Sequence, residues 1–87
     1  MHDFLNNPKF NNLTIREKEV LGYIIDGLHN VEIAQNLGIS FHTAKAHVSS
    51  ILHKLGVNTR ILAVRIAISN IMDNNKDLNN KNKKFND

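Results

Sequence analysis

His42, Lys45, Ala46, Ser49 and His53 recur at spacings of three and four within GISFHTAKAHVSSILHKLGV, residues 38–57. At 100° per residue these positions fall along one side of a helix. They offer an ammonium, a hydroxyl and two imidazoles around a small central side chain. From Phe41 to Met72 there is no Asp or Glu. A donor-bearing stripe without carboxylates suits contact with a polyanion. Lys45 can donate to guanine O6 and N7, and the Ser49 hydroxyl can donate or accept.

Bond-making chemistry finds no comparable support. There is no Gly-rich phosphate loop, the cysteine count is zero, and no Asp pairs with a His at a useful spacing. His42 and His47 are five residues apart and point in different directions, whereas helical metal-binding pairs sit four apart. The expectation is therefore a non-enzyme without metal, cofactor or small-molecule ligand. His47 points away from the centre of the stripe, which favours packing over recognition.

The elements that must carry the stripe can be read from caps and periodicity. Thr14 and Glu17 form a capping box, followed by Val20, Leu21, Ile24, Ile25 and Leu28 at helical spacing. This predicts a first helix over 14–26, stopped by Gly27. Asn30 is the expected N-cap of a short second helix, 31–37, with Ile33, Ala34 and Leu37 inward and Gly38 closing it. Ser40 opens a third helix over 41–55, with Ala44, Val48, Ile51, Leu52 and Leu55 on the core side and Gly56 as its stop. Thr59 caps a fourth over 60–72. A short helix, a Gly turn and a longer capped helix form a helix-turn-helix, whose second helix enters the major groove. Ser40 and Thr43, at the start of that helix, suit phosphate contacts.

The chain of 87 residues allows one small domain. Residues 1–12 read as a flexible leader, 13–72 as the domain, and 73–87 as a disordered Asn/Lys-rich tail. Net charge is +3, and its distribution matters more than its size. Residues 1–40 carry three cations, Lys9, Arg16 and Lys18, against five carboxylates. Residues 41–72 carry Lys45, Lys54, Arg60 and Arg65 against none. No apolar signal segment or membrane span is legible, so a cytoplasmic, nucleoid-associated protein is expected.

LTIREKEVL, EIAQNLGIS, TAKAHVSSIL and KLGVNTR, in this order and spacing, closely resemble the LuxR-type, GerE-like helix-turn-helix domain of bacterial transcription regulators. The resemblance covers about residues 13–70. It implies an all-α, four-helix domain with helix three as the recognition helix and helix four as a dimerisation surface. It also implies base contacts at Lys45, Ala46 and Ser49, and phosphate contacts at Thr43, Lys54, Thr59 and Arg60. Val31, Ala44 and His29 depart from the family pattern; Val31 stands where a basic or polar residue is usual. His42 and His53 are further candidate DNA contacts, with plain surface roles as the alternative.

Helix four carries more apolar residues than one core face needs. Ile61, Val64, Ile68 and Ile71 would form a second, exposed stripe, and such stripes mark interfaces. A homodimer would set two recognition helices about one DNA turn apart. Alternatively Phe4, Leu5 and Phe10 cover the stripe. The expected function is sequence-specific binding of double-stranded DNA as a transcription regulator, with RNA polymerase or another regulator as a further partner. The rival reading is a protein-interaction module that pairs through helix four without reading DNA. No receiver or ligand-sensing domain is visible. A stand-alone regulator and an output fragment both fit, and the initial Met with its short leader leans toward the former.

Overall fold

The computed structural model describes residues 3–69. Four α-helices follow two short 3-10 turns, Asp3–Asn6 and Pro8–Phe10. We label the helices α1 (Ile15–Ile25), α2 (Asn30–Leu37), α3 (Phe41–Leu55) and α4 (60–69). The architecture is all-α, and α3 packs against both α1 and α2. Among the described residues, no helix is long and apolar enough to cross a membrane.

Local chemistry sets the helix ends. Thr14 Oγ1 accepts from the Glu17 N–H at 3.0 Å, and Glu17 Oε1 accepts from the Thr14 N–H at 2.9 Å. Both halves of the capping box are therefore formed. Ser40 Oγ accepts from the Thr43 N–H at 3.0 Å and starts α3 where the sequence places it. Gly38 and Gly56 end α2 and α3 at φ +66° and +73°. The left-handed backbone turns the next N–H back onto the helix: Ile39 N donates to Ala34 O, and Val57 N to Leu52 O, both at 3.0 Å.

The start of α2 differs from expectation by one residue. His29, not Asn30, is the N-cap residue, and its N–H donates to Glu32 Oε1 at 2.7 Å. Asn30 lies inside the helix, and its side-chain oxygen accepts from Arg60 instead. A carboxylate three residues on supplies the cap bond, which frees the Asn side chain for a tertiary contact.

The core is built from Val20, Leu21 and Ile24 of α1, Ile33 and Ala34 of α2, and Ala44, Val48 and Ile51 of α3. Among the described residues of α4, only Ala63 and Ala67 are fully buried. They are one turn apart, and their small side chains let α4 lie close against the core. Leu52 and Leu55, expected inside, pack at its edge.

Residues 5–12 do not form the loose leader that their Asn-rich composition suggests. Phe10 is fully buried, and Leu5 and Leu13 are buried with it in the same cluster. Asn7 Oδ1 caps the second turn by accepting from the Lys9 N–H, and Asn12 Nδ2 donates to Lys54 O at the end of α3, both at 2.9 Å. Two apolar side chains, too sparsely spaced to show periodicity, anchor the segment. The tail expected over 73–87 lies outside the described residues.

Candidate nucleic-acid interface

The outward side of α3 follows from its inward side. With Ala44, Val48 and Ile51 buried, His42, Thr43, Lys45, Ala46, Ser49 and His53 are all exposed. His47 is half-buried. Ser40 and Thr43 stand at the helix start with their hydroxyl oxygens 3.0 Å apart. Each stripe position is thus available to a partner, and Lys45 carries its formal charge. A helix carrying an ammonium, two hydroxyls and a small central Ala46 can enter the major groove and present donors to base edges.

Lys54 and Arg60 are placed differently from Lys45. Lys54 Nζ donates to Glu17 Oε1 at 2.8 Å. Glu17 is 5% exposed, and its Oε2 also accepts from Ser50 Oγ at 2.6 Å. Burial pushes the Glu17 carboxyl up, but the hydrogen bonds from Lys54, Ser50 and the Thr14 N–H, with the Lys54 charge, outweigh it and lower its pKa to about 2. Helix α3 is thereby fastened to α1 through Ser50 and Lys54, which lie one turn apart on one side of α3.

Arg60 fastens α4 to the start of α2. Its Nη1 donates to Asn30 Oδ1 at 2.9 Å and its Nη2 to Leu28 O at 3.0 Å. One planar group therefore bridges the α1–α2 loop and the first turn of α2. A cycle of Arg60→Ala, Asn30→Ala and the double variant should return a coupling of about 1 kcal/mol in thermal unfolding. Additive effects would show that the contact contributes nothing. Thr59 Oγ1 caps α4 by accepting from the Leu62 N–H at 3.3 Å.

The structure brings Ser40, His42, Thr43, Lys45, Ala46, Ser49 and His53 to one helix and its start, with Lys54 at its far end and Thr59 and Arg60 beyond Gly56. On α4, Ile61 and Ile68 remain 75% and 47% exposed with residues 5–12 packed in place, while Val64 is half-buried. Leu5 and Phe10 therefore do not cover these two positions. Ile71 lies outside the described residues.

The Glu17 network is absent from the sequence reading, although a signal was present. Glu17 precedes Val20, Leu21 and Ile24 by three, four and seven residues, so it sits on the buried stripe of α1. A carboxylate there demands a cation and a hydroxyl from elsewhere. The Arg60 bridge had no such local signal.

Comparison with known proteins gives a family match and several relatives. The family model described as bacterial regulatory proteins, luxR family (GerE), matches residues 11–67. The chain is 40% identical over 67 residues to the probable transcriptional regulatory protein SgaR of Hyphomicrobium methylovorum, covering 77% of this chain and 32% of that protein. It is 50% identical over 54 residues to the transcriptional regulatory protein DesR of Bacillus subtilis (strain 168), covering 62% of this chain and 27% of that one. It is 50% identical over 58 residues to the transcriptional regulatory protein DegU of Brevibacillus brevis, covering 67% and 25%. The chain spans about a third or less of the length of these relatives.

Proposed function

Because the chain belongs to the luxR family of bacterial regulatory proteins and carries its helix-turn-helix DNA-binding domain, we propose that it regulates transcription by reading a specific duplex sequence with α3. The family is one of regulators, not enzymes. The observation that carries this reading is the exposed, acid-free side of α3, with Lys45, Ala46 and Ser49 along it. Lys45 leads direct readout, Ala46 allows close approach to the base edges, and Ser49 adds a hydroxyl.

Ser40, Thr43 and Thr59 are the phosphate-facing hydroxyls in this reading. Lys54 and Arg60 join them with the donors that their internal contacts leave over. An ammonium has three donors and Lys54 gives one to Glu17; a guanidinium has five and Arg60 gives two to Asn30 and Leu28. His42 and His53 flank the reading residues and supply further contacts.

The active form is a homodimer joined through α4. Ile61 and Ile68 are exposed, and Ile61 and Val64 border an open apolar groove of about 240 Å³ lined also by Ile24 and Leu28. Ile71 would continue the stripe. A two-fold pair places its recognition helices in successive major grooves. The protein acts in the cytoplasm on the nucleoid, where it can also meet RNA polymerase or another regulator.

Selection of bound duplexes from a random pool tests the reading. Wild-type protein should enrich a near-palindromic site, with binding that weakens steeply with salt. Lys45→Ala should lose about 1–3 kcal/mol of discrimination at one position per half-site and keep the remainder of the motif. No enrichment at low salt would overturn DNA reading, in favour of a module that pairs with another protein through α4.

A further inference from the structure

Phe41 is the first residue of α3 and is 46% exposed. Five large apolar side chains stand exposed among the described residues: Ile15, Val31, Phe41, Ile61 and Ile68. Phe41 alone of these lies on α3. Its ring meets the His42 ring edge-on, with centroids 6.2 Å apart and planes at 70°. It precedes Lys45 by one helical turn, and stands between Lys45 and the buried side of Ala44 and Val48.

The first residues of a recognition helix are those that reach base edges. A phenyl ring carried there cannot satisfy the hydrogen-bonding groups of the groove floor. One apolar group is on offer in the major groove, the C5-methyl of thymine. Burying the ring against that methyl removes apolar surface of both partners from water, and no other base pair offers an equivalent contact.

We propose that Phe41 is a specificity-determining residue that reads a thymine methyl in each half-site, beside the position read by Lys45. This inference rests on the DNA-binding reading above. It sets an apolar element at the start of α3, at the edge of a stripe built from donors and small side chains.

Deoxyuridine substitution tests it, because it removes the methyl and leaves the Watson–Crick edge intact. Each thymine of a selected duplex is replaced in turn, and binding is measured for wild type and Phe41→Ala. At one thymine per half-site, wild type should bind the uracil duplex about fourfold more weakly, the effect of one buried methyl-sized group. Phe41→Ala should bind the thymine duplex more weakly by a similar factor and show no thymine–uracil difference there. Phe41→Leu should recover part of the difference. Each variant should melt at the wild-type temperature, since the ring is not a core side chain. Uracil tolerated at every position, or a thymine preference unchanged in Phe41→Ala, would overturn the assignment while leaving DNA binding intact. A wild-type protein that enriches no duplex would remove the DNA-binding reading and this assignment together.

Discussion

Phe10→Ala should destabilise the domain by about 3–5 kcal/mol, the range for deleting a fully buried phenyl ring. Phe10 has no exposed surface and shares one cluster with Leu5, Leu13 and the core residues of all four helices. Alanine at this position leaves a cavity that a small core cannot readily close. The loss is comparable with the whole stability of a domain this size, on the order of 5 kcal/mol. A substantial unfolded fraction at room temperature is expected, visible as lost helical circular dichroism and an early urea midpoint. Asn6→Ala, at an exposed position in the same segment, should leave both unchanged. A Phe10→Ala protein that melts like wild type would show that residues 5–12 contribute nothing to the fold.

Glu17→Gln should also be costly. The carboxylate accepts from the Thr14 N–H, Ser50 and Lys54, and its pKa is lowered from the ordinary 4.5 to about 2. That difference corresponds to about 3 kcal/mol of stability; screening of Lys54, whose side chain is 32% exposed, reduces it to about 2–3 kcal/mol. The melting temperature at neutral pH should fall by roughly 10–20 °C.

The pH dependence has a definite sign. A carboxyl with a depressed folded-state pKa stabilises fully above its unfolded value, here about 4.5, and loses that contribution as pH falls toward about 2. Wild type and Glu17→Gln should therefore differ most at neutral pH and converge as pH falls through that window. A constant gap from pH 7 to pH 2 would show that the charge of Glu17 is not the stabilising element. Since Ser50 and Lys54 belong to α3, the same substitution should also loosen the seating of α3 on α1.

Much of this protein is decided within a few residues. The Thr14–Glu17 capping box, the Ser40 cap and the glycine stops at 38 and 56 are contacts between neighbours three to five positions apart. They depend on side-chain type and backbone handedness, so they are legible without a fold. The buried face of α3 follows from apolar spacing, and the exposed His42-Lys45-Ala46-Ser49-His53 side is its complement. Helix order, the helix-turn-helix and the family were therefore readable from the chain alone.

The tertiary structure decided what lies 30 or more residues apart. Glu17 meets Ser50 and Lys54, Arg60 meets Leu28 and Asn30, and Asn12 meets Lys54. No local pattern names such partners, because packing four helices together selects them. The same packing buried Phe10 and Leu5, whose isolated spacing carries no period, and brought the Asn30 side chain, free of the capping role, to Arg60. Sequence determined which side of α3 is exposed. Tertiary contacts determined what holds that helix in place and which cations are already committed to it.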